Sequence, residues 1–152
     1  MTIMYNQIIE NLERQLSDKE YENLKSHPIH LGIFREPYLT YMLEGKKTIE
    51  SRFSKNKILP YKSVSSKDMV IVKKSSGPII GYFTVGEVFS FNLRETSLDE
   101  IRRKYEKELC VSEQFWESKR DSNYATLMTI ENLTMLTPFS IDKRGMQTWI
   151  KF

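Results

Sequence analysis

The chain has 152 residues, 39% of them hydrophobic and 28% charged, with six Gly and five Pro. That is ordinary globular composition for about one domain, too apolar for extended disorder. A lone cysteine, Cys110, excludes an internal disulfide. No apolar run approaches the roughly 18 residues of a membrane span. The opening MTIMYNQIIENLERQL is too polar and acidic for a secretory signal, so a cytoplasmic protein with no membrane partner is expected.

The net charge of +3 is unevenly distributed. Residues 43–74 hold nine Lys or Arg against three acidic residues, an excess of +6, while 1–27 and 95–121 each carry about −2. A basic stripe is the usual footprint of a phosphate-bearing partner; solvated lysines on loops give the same pattern.

In chain order, Tyr5, Ile8, Ile9, Leu12 and Leu16 recur at helical spacing, and Ser17 with Glu20 forms a capping box for a second short helix through Leu24. IHLGIF, ending at Phe34, reads as a strand. Pro37 at a first helical position and Gly45 just past the end predict a short helix over 37–44. From Lys47 to Phe53 the pattern alternates, with Thr48, Glu50 and Arg52 on one face and Ile49 and Phe53 on the other. The basic stretch 54–68 is a loop long enough to be functional or mobile. MVIVK and IIGYFTVGEVFSF are strands, with Gly81 and Gly86 placed for bulges or close backbone approach. Ser97 and Glu100 form a second capping box before a helical stripe of Leu98, Ile101, Tyr105 and Leu109, and a further short helix carries Phe115 and Trp116 as packing residues. YATLMTIENLTMLTPFSI is one or two strands, and the tail DKRGMQTWIKF sets Lys143, Arg144 and Trp149 close together. Strands interleaved with short helices and glycine-marked bends predict an α+β domain on a small, mixed, curled sheet. The domain is assigned to 28–152, with 1–27 as a helical extension packed on it.

Several chemistries are set aside. His27 and His30 are the only histidines, and with one distant cysteine they make no zinc site; no metal and no cofactor are expected. There is no Walker loop, GxGxxG or GxSxG. Cys110 lacks an activating histidine and reads as a buried structural thiol. What remains is LEGKKTIESRF at 43–53. Glu50 and Arg52, two residues apart on one strand face, are placed for an ion pair or a shared ligand. Arginine offers a planar fork to phosphate or a base edge, and a carboxylate accepts from an exocyclic amine. An exposed pair worth under about 1 kcal/mol is the alternative.

Gly45, Lys47, Glu50 and Arg52, within GKKTIESR, match every fixed position of the GxKxxExR signature of the ASCH family, a branch of the PUA-like superfamily. The flanking strands occur in the family's order, and the resemblance covers residues 29–137. It implies a β-barrel of about five or six strands ringed by short helices, with a cleft beside the signature. The family is associated with RNA binding and RNA metabolism, and relatives such as YTH and EVE domains hold a modified base in an aromatic pocket. Carried over, Lys47, Glu50 and Arg52 would line the cleft and Gly45 would turn the backbone into it. The ligand implied is RNA, single-stranded, or a modified nucleoside. Beyond the signature, Lys73 and Ser76 are expected at the rim, Tyr124 and Trp149 as stacking platforms, and Lys143 and Arg144 as phosphate contacts. Packing roles for the two aromatics are the alternative.

Some family members hydrolyse the amide of an N4-acylated cytidine with a lysine, a threonine and a glutamate; others are linked to RNA cleavage. Lys47 occupies the lysine position, but the threonine position is Glu50 here. Thr48 is displaced by two, and Glu106 and Glu108 are both candidates for the second carboxylate. A metal-independent amidohydrolase or ribonuclease, with Lys47 and Glu50 catalytic, therefore stands as the alternative to an RNA- or nucleoside-binding module. A protein-interaction domain using the first helices is a third reading.

Overall fold

The computed structural model describes residues 2–152. The elements are α1 (Thr2–Gln15), α2 (Asp18–Lys25), β1 (Ile29–Phe34), α3 (Tyr38–Leu43), β2 (Ile49–Ser54), β3 (Met69–Lys74), β4 (Ile79–Asn92), α4 (Leu98–Leu109), α5 (Glu113–Ser118), β5 (Tyr124–Phe139) and β6 (Trp149–Lys151).

Local chemistry sets most of these boundaries. The box at α2 is complete: the Ser17 hydroxyl accepts the Glu20 N–H and the Glu20 carboxylate accepts the Ser17 N–H. At α4 only half of it forms, because the Glu100 carboxylate accepts from the Ser97 hydroxyl instead of its N–H. Pro37 is the cap of α3 and not its first helical residue. The Glu36 carboxylate supplies the missing acceptor, taking the Thr40 N–H at 2.8 Å and its hydroxyl at 2.6 Å. Gly45 follows with φ +76°, the left-handed turn that lets its N–H reach the Met42 carbonyl and ends the helix.

The six strands form one curled sheet in the order β2-β5-β4-β3-β1-β6. Only the β1–β3 pair is parallel, and both strands are almost wholly buried, as strands covered on both faces must be. The two long strands β4 and β5 lose register three times along their pairing. Those irregularities, which Gly81 and Gly86 accompany, let one ribbon bend far enough to form most of a barrel wall. Gly81 is required sterically, since a Cβ there would lie 2.5 Å from the Thr134 carbonyl oxygen.

Three apolar clusters fill the fold. Inside the curl, Phe34, Val70, Val72, Phe83, Val85, Met128 and Trp149 pack with Leu39 and Met42 of α3 and Val64 of the basic loop. On one outer face, Met4, Ile8, Leu12 and Leu24 of the first two helices join Leu31, Ile71, Ile79 and Ile150. On another, Ile101, Tyr105 and Leu109 of α4 and Trp116 of α5 cover Ile49 and Leu127. The basic loop 55–68 is anchored through buried Pro60 and Val64. No described helix is long and apolar enough to cross a membrane.

Candidate functional site

The turn out of α3 aims the signature inward. The Tyr41 carbonyl accepts both the Lys46 and Lys47 N–H groups, at 2.9 and 3.0 Å, and the Thr48 N–H donates to the Glu108 carbonyl at the end of α4. Held from both sides, Lys47 buries its side chain and leaves Thr48 exposed. Lys47 is only 3% exposed. Its ammonium donates to the Leu109 carbonyl at 2.7 Å and lies 3.7 Å from Glu50 Oε1. Burial pushes its pKa below the ordinary lysine value; Glu50 and Cys110 oppose that shift and Arg52 adds to it.

Glu50, 7% exposed, accepts the Ser51 N–H on Oε1 at 2.8 Å and an Arg52 donor on Oε2 at 3.1 Å. The same Arg52 nitrogen donates to the Ile33 carbonyl of β1 at 2.8 Å, and the other terminal nitrogen donates to the Thr148 carbonyl at 3.2 Å. β2 and β6 are the two edges of the sheet, so one guanidinium spans the gap that backbone pairing leaves open. Aromatic rings hold it in place, with its central carbon 4.9 Å from the Phe34 centroid and 5.0 Å from that of Trp149. The pair on one strand face is therefore a buried, hydrogen-bonded network and not a solvated surface pair.

This network floors a cleft of about 520 Å³, within the roughly 300–1,000 Å³ typical of ligand sites. Tyr38 and Phe115, edge to face at 5.5 Å, form one wall. Arg35 and Lys119 stand at the mouth, and Glu50 is the only acidic residue lining it among the described residues. Neither rim cation joins an ion pair among the described residues. Burial pushes Lys119 below its ordinary pKa, and the facing Arg52 and Arg35 lower it further. The Ser51 hydroxyl, also buried against the cleft, has no hydrogen-bond partner. Such an orphan is one more group a ligand could satisfy.

Other expected site residues lie elsewhere. Trp149 is 3% exposed, with one ring face under Arg52 and its indole N–H donated to His30 Nδ1 at 3.0 Å. It positions the arginine and is not open as a base platform. The acceptor role of Nδ1 requires the His30 proton on Nε2, which faces Asp68 Oδ2 at 2.8 Å. Tyr124 sits outside the cleft, paired with Tyr61 at 4.8 Å. Lys143 and Arg144 do not gather beside Trp149. Lys143 donates to the Gly145 carbonyl and faces Lys73, whereas Arg144 borders a separate hollow with Met4 and Asp142. Lys73 donates to the Lys74 carbonyl, and Ser76 occupies a left-handed turn position with φ 56°; neither lines the cleft. Glu106 turns outward to Arg102, and Glu108 contributes its backbone carbonyl. Cys110 is only partly buried and caps α4 with φ 51°. Arg35, Tyr38, Phe115 and Lys119 were missed as cleft residues. Their one sequence signal was proximity to strand and helix ends, which does not say that three separate segments converge.

The family model for the ASCH domain matches residues 33–137. The structure of an ASCH protein from Zymomonas mobilis superposes with a TM-score of 0.65 at 12% identity, covering 82% of this chain and 87% of that one. A serine-to-alanine variant of the Zymomonas mobilis protein gives 0.64 at 15% identity, with the same coverage of both chains. A tyrosine-to-phenylalanine variant gives 0.65 at 12% identity, covering 82% and 89%. At these identities the likeness is one of fold. A search of curated proteins finds no match to the chain.

Proposed function

Because the chain belongs to the ASCH-domain family, we propose that its cleft binds a nucleobase carried by a phosphate-bearing ligand, with single-stranded RNA as the ligand class. The observation that carries this reading is the convergence of Lys47, Glu50 and Arg52 on the floor of one cleft whose mouth holds the unpaired Arg35 and Lys119. Each Glu50 oxygen already accepts one protein donor and keeps a lone pair for an exocyclic amine. Beyond its Leu109 bond and the proton directed at Glu50, Lys47 keeps one proton to offer a ring carbonyl. Tyr38 and Phe115 supply the apolar wall, and the rim cations face the phosphate. Together these groups satisfy a base edge, a base face and a backbone charge.

The test is binding of short single-stranded oligoribonucleotides to wild type, Glu50→Gln and Lys119→Ala. Glu50→Gln is expected to weaken binding by up to about 150-fold, the upper range for loss of a good base-edge contact. Lys119→Ala is expected to lower the salt slope by about one. Binding that ignores both salt and the Glu50 substitution would overturn the proposal.

A second reading, metal-independent hydrolysis of RNA or an acylated nucleoside, is favoured by the state of Lys47. Burial shifts Lys47 toward the free amine that a general base requires, with Glu50 3.7 Å away to relay the proton. The two readings have opposite pH dependence. If Lys47 acts as an ammonium donor, affinity falls as pH rises through its lowered pKa. If it acts as a base, turnover rises through the same range. The groups facing it are Glu50, Arg52, Cys110 and Tyr38. Lys119 titrates in the same direction, so the profile is measured in Lys119→Arg as well.

A further inference from the structure

The basic loop 55–68 does not enter the cleft. Of its lysines, Lys57 and Lys62 border a separate hollow of about 590 Å³, together with Ile58, Leu59, Tyr61 and Thr148. Thr148 also lines the ligand cleft, and its carbonyl accepts from Arg52. The two depressions thus meet at one residue. The hollow has the composition of a nucleic-acid platform. Tyr61, which lines it, forms a tilted pair at 4.8 Å with the adjoining Tyr124, with the Lys57 ammonium 5.6 Å from the Tyr124 ring and that of Lys62 5.7 Å from Tyr61. Ile58 and Leu59 are 60% and 41% exposed beside them, and among the described residues no acidic side chain lines the hollow. Large apolar side chains held out to solvent among unpaired lysines cost solvation without contributing to the core. The loop carrying them is tethered through buried Val64 and through the Lys151 ammonium, which donates to the Ser63 carbonyl at 2.8 Å, so it presents a formed surface.

We propose that this hollow is a second nucleotide-binding subsite, so that one strand of single-stranded RNA runs from the cleft across Thr148 and stacks its neighbouring base on the Tyr61–Tyr124 pair while Lys57 and Lys62 meet its phosphates. This rests on the reading of the cleft as a nucleobase site and extends it: the ligand spans at least two nucleotides. Sequence-tolerant stacking beside a cationic track is a recognition mode for single strands, and each stacked base is worth about a 5- to 150-fold change in affinity.

The experiment measures affinities of ribonucleoside 5′-monophosphates and of single-stranded oligoribonucleotides of increasing length, with oligodeoxyribonucleotides and a double-stranded RNA as comparison arms. The proteins are wild type, Tyr61→Ala, the double variant Lys57→Glu with Lys62→Glu, and Glu50→Gln. The expected result is that affinity rises at least about fivefold from monophosphate to oligonucleotide. The hollow variants are expected to remove that increment and leave monophosphate binding unchanged. The two lysines are exposed, so the charge reversal tests the subsite even if Tyr61→Ala perturbs the loop. Oligonucleotides that bind no more tightly than monophosphates, or that bind equally well to the charge-reversed protein, overturn the subsite while leaving the cleft reading in place. Loss of oligonucleotide binding in the hollow variants but not in Glu50→Gln overturns the cleft reading and retains the subsite as an independent site. Equal binding of single-stranded DNA retains the subsite but removes its RNA specificity. A preference for the duplex overturns it.

Discussion

At the scale of single residues, the site depends on groups that are costly to bury and are buried nonetheless. Lys47, Glu50 and Arg52 share two ion-pair contacts and three backbone carbonyls, enough to offset much of the desolvation of three charges. His30 shows the same economy without a charge. Burial pushes its pKa below the ordinary histidine value, and a neutral ring both accepts from Trp149 and donates to Asp68. A depressed pKa in the folded state means that its stabilising contribution is complete above the unfolded value of about 6.5 and is lost as pH falls through that value toward the folded one. Thermal melts are therefore expected to show stability declining from about pH 6.5 downward, with the decline reduced in His30→Gln. A midpoint flat across that range in wild type would contradict the assignment. The sequence carried the Glu50–Arg52 pairing, because a period of two puts both on one face. It did not carry the His30–Trp149 contact, since nothing local relates two residues 119 positions apart.

At the scale of elements, β2 is an edge strand whose Arg52 bonds to the far side of the sheet. Arginine is suited to this because a planar fork serves three acceptors at once, whereas lysine presents a point charge on a flexible stem. Arg52→Lys is thus expected to lower stability by about 1–3 kcal/mol through carbonyls left without donors. It is also expected to uncover the Trp149 ring, increasing quenching of its fluorescence by acrylamide. An unchanged melting temperature with unchanged quenching would show that the guanidinium bridge is dispensable. Element boundaries were largely legible: the capping box at α2, the stop at Gly45 and the alternation of β2 all act within a few residues. The half-formed box at α4 was not, because Glu100 had a second nearby partner in the Ser97 hydroxyl. The tail misled for a related reason. Lys143, Arg144 and Trp149 are neighbours in the chain, yet Trp149 enters a strand paired with Gly32 while the two cations turn outward.

At the scale of the molecule, the two helices that precede the 28–152 domain pack on its sheet. Met4, Ile8, Leu12 and Leu24 are buried against β1, β3 and β4. At about 1.5–3 kcal/mol for each fully buried side chain, they contribute roughly 6–12 kcal/mol before entropy. That is comparable to the 5–15 kcal/mol net stability of a whole domain. A chain lacking residues 1–27 is therefore expected to aggregate or to lose its cooperative melt, measured by circular dichroism and size-exclusion chromatography. A truncated chain that melts cooperatively near the full-length midpoint would show that 28–152 folds without the helices. The helices read from sequence as an addition because their pattern shows an apolar face without showing which core receives it.

What the sequence by itself determined is local and periodic: where helices stop, which side chains share a strand face, and the spacing of Gly45, Lys47, Glu50 and Arg52 on which the resemblance to a family rested. Those properties depend on dihedral preference and on repeats of 2 and 3.6 residues, all encoded within a few positions. Only the tertiary structure decided that the pair faces inward and that Arg35, Tyr38, Phe115 and Lys119 complete its cleft. Only the tertiary structure placed the basic loop around a second hollow and set Tyr124 against its Tyr61. These outcomes follow from how far two bulged strands bend and which edges they bring together, and a single chain's pattern carries no term for contacts between segments far apart in sequence.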